Sequence, residues 1–132
     1  GTLIRTADAA AYDGVILGKG TVDVYNDKVL RASQGSLWHL EVVSLDLLQE
    51  ARPAFEVAGI PWLVTALHQE AKAYQEVPTN QKLALVLGNE GQGVSEAVIQ
   101  VADQTIYIPM PGQAESLNVA VAGGILMFYF QA

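Results

Sequence analysis

Two polar loops carry the residue types with which this chain could do chemistry. The first follows the apolar run Leu83-Ala84-Leu85-Val86-Leu87 and reads Gly88-Asn89-Glu90-Gly91-Gln92-Gly93-Val94-Ser95. Its glycines let backbone approach a ligand closely, and Glu90 places a carboxylate among them. The second reads Ile108-Pro109-Met110-Pro111-Gly112-Gln113-Ala114-Glu115-Ser116-Leu117-Asn118 and leads into an apolar stretch over 119–130. Pro109 and Pro111 lack backbone donors and fix φ, and Gly112 permits a reversal, so this loop cannot join a sheet. Ser116 and Asn118 bring a hydroxyl and an amide to the start of the next helix, beside its unpaired N–H groups. Each loop has a plain structural reading, a turn after a strand in one case and a turn with an N-cap in the other. Rigid polar loops between buried elements also suit a small-molecule site. Strand, glycine-rich loop and helix is the layout of nucleotide sites at the carboxyl ends of strands in open α/β sheets. The spacing is neither a P-loop nor a GxGxxG fingerprint, and the glycine loop alone is a weak signal.

The elements that must position these loops alternate along the chain. Good helix formers fill residues 2–12, and the turn Asp13-Gly14 leads to a strand over 15–17. A helix is expected over 27–34, ended by Gly35, and a short strand over 41–44. Asp46 can cap a helix running to Ala58, with Pro53 placed to kink or restart it and Gly59 closing it. A strand follows over 61–66, residues 71–77 are ambiguous, and 83–87 is a strand apolar on both faces. Ser95 reads as the N-cap of a helix over 96–102, residues 105–108 as a strand, and 119–130 as the last helix. Strands separated by helices imply an α/β fold with a parallel sheet covered on both faces.

Composition fits one domain, 132 residues long and 51% hydrophobic. There is no cysteine, which excludes disulfides and thiolate metal sites and fits a cytosolic protein. His39 and His68 lie far apart among apolar neighbours and are given no metal role. No signal-peptide pattern is visible, and the stretch 119–130 is too short to span a bilayer and contains Gly123-Gly124, so no membrane partner is expected. The net charge is −7, and the cations are Arg5, Lys19, Lys28, Arg31, Arg52, Lys72 and Lys82. Arg5, Lys28 and Arg31 could form a local patch. Acidity by itself argues against a nucleic-acid partner, whose phosphates call for a basic footprint.

Both loops together, in this order, resemble the SpoU (TrmH-like) branch of the SPOUT RNA 2′-O-ribose methyltransferases. A first motif is similar to Gly1-Thr2-Leu3-Ile4-Arg5-Thr6-Ala7-Asp8-Ala9-Ala10 leading to Asp13-Gly14-Val15-Ile16-Leu17. A second resembles 85–95, a third resembles 108–110 through 116–122, and Arg31-Ala32-Ser33-Gln34-Gly35 matches a further family segment. The family's first motif normally begins with an asparagine a few residues before the arginine, whereas this chain starts inside it. The expectation is therefore one catalytic domain over 1–132, cropped at its amino terminus, with an RNA-binding domain able to precede it.

The resemblance implies a Rossmann-like sheet whose carboxyl-terminal segment makes a trefoil knot, one of the rare exceptions to unknotted topology. It implies S-adenosylmethionine as methyl donor, an RNA substrate (rRNA or tRNA), a cytoplasmic enzyme, and a homodimer through the knot and the last helix. The sulfonium methyl is already activated, so the enzyme mainly aligns it with the ribose 2′-oxygen and helps remove a proton, with no metal required. By resemblance, Thr65, Ala66, Leu67, Gly88, Ile108, Met110 and Leu117 line the donor pocket. Arg5, Glu90, Ser116 and Asn118 are the catalytic candidates. Arg5 is a proton acceptor or a substrate positioner in the family, and because a guanidinium is a poor general base, positioning is the favoured role. Two alternatives stand beside this reading: a binding module for the donor and RNA that has lost catalysis, and an unrelated flavodoxin-like nucleotide-binding domain.

Overall fold

In the computed structural model, which describes residues 2–18, 27–32, 40–67, 70–79, 81–88, 93–112 and 117–131, the chain opens on helix α1 (Thr2–Ala9) and strand β1 (Gly14–Gly18). Strands β2 (Lys28–Ala32) and β3 (Glu41–Leu45) follow, then a wide π turn over Leu47–Ala51 and helix α2 (Arg52–Ala58). Strand β4 (Trp62–Thr65), the two-residue β5 (Lys72–Ala73), a single 3₁₀ turn (Tyr74–Glu76) and strand β6 (Leu83–Leu87) come next. Helix α3 (Glu96–Gln100), strand β7 (Gln104–Tyr107) and helix α4 (Val119–Gln131) complete the described chain.

The strands form one seven-stranded sheet in the order β3-β1-β2-β6-β4-β7-β5. The β1/β3, β4/β6, β4/β7 and β5/β7 pairs are parallel, while β2 runs antiparallel to both β1 and β6. The sheet is thus mixed, and the helix expected over 27–34 is corrected to a strand across its described part. Residues such as Lys, Leu, Arg and Ala favour a helix in isolation. Pairing on both sides, with Val29 and Leu30 sent to opposite faces, overrides that local preference. Every strand other than β2 points the same way, so their carboxyl ends share one edge with the amino end of β2.

Strand β6 shows why two layers of helix are needed. All five of its residues are buried, with Leu83, Leu85 and Leu87 in one core and Ala84 and Val86 in the other. The first core takes Leu3 and Ala7 of α1 and Leu126, Met127 and Phe130 of α4. The second takes Leu47 and Ala51 of the π turn, Phe55 of α2 and Val98 of α3. Helices α1 and α4 lie side by side in the same direction. A Cβ on Gly123 would fall 2.5 Å from Leu3 Cδ2 and 2.9 Å from Leu87 Cδ1, and at the other end Gln131 Nε2 donates to the Ala10 and Ala11 carbonyls at 2.6 and 2.9 Å.

On the other face, Asp46 caps its helix as expected. Its carboxylate accepts from the N–H of Leu48 (3.0 Å) and Gln49 (2.9 Å), while Glu50 accepts from the N–H of Asp46 at 2.9 Å. Pro53 restarts the helix: the preceding turn is widened, with Ala51 N–H reaching back to Asp46 C=O, and Pro53 falls in the first turn of α2, where its missing donor costs little. Gly59 ends α2 in the left-handed conformation (φ 71°).

A charged clamp fixes α2 to the sheet. The Arg52 guanidinium donates to Asp103 at 2.8 and 3.3 Å and lies 5.4 Å from the centre of the Trp62 ring, and Asp103 also accepts from the Trp62 N–H at 2.7 Å. The Arg52 hydrogen bond, opposed by partial burial and helped by the Trp62 N–H, holds the Asp103 carboxyl below its ordinary value of 3.8. A depressed folded-state pKa makes this stabilisation fully present above pH 3.8 and removes it as the pH falls below. Asp103→Asn is therefore expected to lower unfolding stability at pH 7 by about 1 kcal/mol, discounted for solvent exposure. In urea titrations the gap between variant and parent should narrow as the pH falls below 3.8.

Candidate functional site

The shared strand direction gathers the polar loops at one edge. β4 ends there with Thr65, Ala66 and Leu67, β6 with Gly88, and β7 with Ile108 and Met110. Thr65 Oγ1 donates to the Val86 carbonyl at 3.1 Å, and the Ala66 N–H donates to the Ile106 carbonyl at 3.0 Å. These bonds tie the ends of β4, β6 and β7 to one another. The Thr65 hydroxyl is therefore engaged within the sheet. Leu67 is 79% exposed beside it, an apolar side chain standing in solvent at the mouth of the edge. Ile108 and Met110 are half-buried, with Ile108 packed on the core that holds α4.

Gly88 has a steric reason to be glycine. A Cβ there would run into the backbone of Gly93 and Val94, because the chain folds back over the end of β6. Gly93 has a conformational reason instead, with φ 73° and open space around it. The glycine loop is thus pinned against its own strand. The residues between, including Glu90, lie outside the described residues, as does Ser116.

Arg5 and Asn118 belong to the two helices of one layer, whose starts lie beside the end of β6. Arg5 is exposed on α1, a half-turn from Leu3, which packs with Gly123 against Leu87 at the end of β6. Asn118 Oδ1 accepts from the N–H of Ala120 (2.8 Å) and Val121 (3.4 Å), so its side chain caps α4. Capping orients the carboxamide rigidly at the edge. Leu117 precedes it, 38% exposed. Nine of the eleven candidate residues fall within the described residues, and the fold brings their elements to the same edge.

One expectation needs correction and another holds only in part. Arg31 does not join a patch with Lys28: it pairs with Gly14 at the opposite end of β2, and its Nε is bound 2.9 Å from the buried Asp13 carboxylate. Its charge is taken up within the fold. Ser95 opens α3, but its hydroxyl makes no cap bond and instead donates to Asp27 Oδ2 at 3.1 Å. Sequence reasoning missed Asp27, a buried carboxylate that precedes β2 at the candidate edge. Reading residues 27–34 as a helix turned Asp27 into a helix-start residue, and only the antiparallel pairing of β2 with β6 brings it beside Gly88.

Among the described residues, no group of three or more His, Asp or Glu side chains is placed to hold a metal ion. A cavity of about 440 Å³ lies between α3 and the start of β7, lined by Glu70, Glu96, Gln100, Asp103 and Gln104. It is acidic and sits at the opposite edge of the sheet, where its charge disfavours phosphate. No helix among the described residues is long and apolar enough to cross a membrane.

A mixed α/β sheet with glycine-pinned and proline-bounded loops at one edge is the architecture of a known group of enzymes. The chain belongs to the SpoU rRNA methylase family, whose model matches residues 1–128. It is 47% identical over 131 residues to the 23S rRNA (guanosine(2553)-2′-O)-methyltransferase RlmP of Bacillus subtilis, covering 99% of this chain and 52% of that protein. A protein of Staphylococcus haemolyticus named for the TrmH family of tRNA/rRNA methyltransferases is 35% identical over 128 residues, covering 97% of this chain and 51% of the relative. The chain thus spans about half the length of these curated relatives. Among solved structures, the A. aeolicus TrmH/SpoU tRNA modifying enzyme superposes with a TM-score of 0.78 at 31% identity, covering 98% of this chain and 66% of the other. An AdoMet-bound rRNA methyltransferase from Sinorhizobium meliloti superposes at 0.72 and 29% identity, covering 96% and 48%.

Gly88→Ala tests the pinned loop. Because the added methyl meets backbone rather than a flexible side chain, the substitution should destabilise the fold by roughly 1–3 kcal/mol in urea unfolding. Gly93→Ala meets only conformational strain and should cost about 1 kcal/mol.

Proposed function

We propose that this chain is the methyl-transfer domain of an RNA 2′-O-ribose methyltransferase that uses S-adenosylmethionine. The observation that carries the reading is the convergence of Thr65-Ala66-Leu67, Gly88 with Gly93, and Ile108 with Met110 at one sheet edge, flanked by the Arg5 helix and the Asn118 cap. Backbone groups of three loops, already locked together, suit a donor that must be held without rearrangement. The B. subtilis relative acts, by its name, on a guanosine ribose of 23S rRNA, and the S. meliloti relative holds AdoMet in its crystals. Both facts support rRNA as substrate class and S-adenosylmethionine as donor here, and with them a cytoplasmic site of action.

The reaction forms a bond between the ribose 2′-oxygen and the methyl carbon and breaks the bond from that carbon to the sulfonium sulfur. The hydroxyl proton leaves, and S-adenosylhomocysteine is released. Nothing in this displacement calls for a metal, because the sulfonium is its own leaving group. Thr65, Ala66, Leu67, Gly88, Ile108, Met110 and Leu117 form the donor pocket. Arg5 positions the ribose and its phosphate by a two-pronged guanidinium contact. Asn118 holds the start of α4 at the pocket, and Glu90 and Ser116 supply a carboxylate and a hydroxyl to the same site. The knot belongs to this reading, formed by the carboxyl-terminal segment around the pocket.

The last helix supports a homodimer. Val121, Ile125 and Phe128 stand at 53, 38 and 54% exposure with helical spacing on α4, an apolar stripe on the side away from the core. A twofold interface on this stripe would bring two α4 helices, and the pockets at their starts, together.

Two measurements test the proposal. Calorimetry should show S-adenosylmethionine binding to the protein without added metal, and the full-length protein should transfer labelled methyl to rRNA. Arg5→Ala should then leave donor binding nearly intact while lowering turnover roughly 100- to 1000-fold. An alanine variant with normal turnover would reduce Arg5 to a surface charge. For the dimer, Phe128→Glu buries a carboxylate in the interface and should shift light scattering from dimer to monomer with loss of activity. A parent protein that is monomeric at working concentration refutes the dimer.

A further inference from the structure

Among the described residues, the buried acidic side chains are Asp13 and Asp27. Asp13 is paired with Arg31. Asp27 has no ion-pair partner among the described residues, is 4% exposed, and keeps Oδ1 buried without a hydrogen-bond partner. A carboxylate held in this way is unfavourable, and burial does push its pKa up. Its retained contacts all lie at the candidate site's edge.

Three segments meet on this residue. Asp27 Oδ2 accepts from the Ser95 N–H at 3.2 Å and the Ser95 hydroxyl at 3.1 Å. The Asp27 carbonyl accepts from the Gly18 N–H at 2.9 Å, and a Cβ on Gly18 would stand 2.8 Å from that oxygen, so β1 ends in close contact with it. Lys28 lies opposite Leu87, which places Asp27 alongside Gly88. Ser95 directly follows the Gly93-Val94 backbone against which Gly88 is packed. Through its carboxylate and its carbonyl, Asp27 thus ties the Gly93–Ser95 limb to the end of β1 and the start of β2, one residue from the point where that limb packs on Gly88. Ser95 gives up its ordinary role as side-chain cap of α3 to make this bond.

We propose that Asp27 is a positioning residue for the methyl donor: through Ser95 it holds the Gly93-Val94 backbone against Gly88, fixing one wall of the donor pocket. The inference rests on the donor-site reading above. Asp27 touches neither substrate in this role and acts through the loop. Its signature is a loss of donor affinity with turnover on bound substrates preserved.

The test uses the full-length protein and its Asp27→Ala, Asp27→Asn and Ser95→Ala variants. Calorimetry gives the Kd for S-adenosylmethionine, steady-state kinetics with labelled donor give KM and kcat, and thermal unfolding confirms the fold. Asp27→Ala should raise donor Kd and KM about tenfold while kcat at saturating donor stays within about twofold. Asp27→Asn should recover most of the affinity, since a carboxamide oxygen can still accept both Ser95 hydrogen bonds. Ser95→Ala should shift the same constants in the same direction by less, because its N–H remains, and should add little in the presence of Asp27→Ala. An unchanged donor Kd in a folded Asp27→Ala protein, or a loss confined to kcat or to unfolding temperature, overturns the proposal. Should Asp27→Ala fail to fold, an unchanged donor Kd in Ser95→Ala overturns it. Failure of the parent protein to bind the donor would overturn the donor-site reading itself, an outcome distinct from parent-like binding by the variants.

Discussion

Burial of Leu83–Leu87 on both faces is the constraint on which the rest of the molecule depends. Every backbone donor and acceptor of such a strand needs a partner within the protein, and β2 on one side and β4 on the other supply them. Its side chains then demand an apolar layer above and another below. Each Leu or Val buried there stabilises the fold by about 1.5–3 kcal/mol relative to exposure. Helices α1 and α4 form one layer, and the π turn with α2 and α3 forms the other. Polar chemistry has to begin where this strand ends. Because β1, β3, β4, β5, β6 and β7 point the same way, the loops that leave β4, β6 and β7 emerge together at that edge.

Close approach of backbone to backbone makes the edge rigid. Gly88 is pressed on Gly93 and Val94, and Gly123 fits between Leu3 and Leu87, so the loop, the strand end and the starts of α1 and α4 are set by contacts that a single methyl would disturb. The bond from Thr65 to the Val86 carbonyl and the Asn118 cap add directional restraint to this packing. A ligand site bounded in this way would lose little entropy on binding, which is the physical advantage of building it from backbone.

Charge is distributed so that little of it is left for a general grip on nucleic acid. Arg31 is engaged by Asp13 and Arg52 by Asp103, and the net charge is −7. What remains at the candidate edge is local: Arg5 exposed on α1, Lys28 half-exposed at the start of β2, and the buried carboxylate of Asp27 tied to Ser95. On the proposed reading, so sparse an arrangement would serve to orient one phosphate and ribose, since long-range electrostatic attraction would need a cluster of cations.

The sequence by itself determined the α/β class, the glycine and proline loops and most element positions. Those features rest on local physics: an apolar run such as 83–87 has one comfortable environment, prolines at 109 and 111 exclude sheet, and Asp46 and Gly59 bound a helix wherever it packs. Gly88 and Asn118 stood out for the same reason, each at a boundary that its own residue type marks, whereas Arg5 and Ile108 were singled out only by the family resemblance. Tertiary structure decided what local preference could not. It made a strand of 28–32 against helix propensity, because two flanking strands offered hydrogen bonds to both of its edges. By reversing that strand it moved Arg31 away from Lys28 and onto Asp13, and carried Asp27 to Gly88 and Ser95. These are contacts between residues 18 and 68 positions apart. Pairings at that distance are set by which strands become neighbours, and a one-dimensional pattern holds no record of that choice.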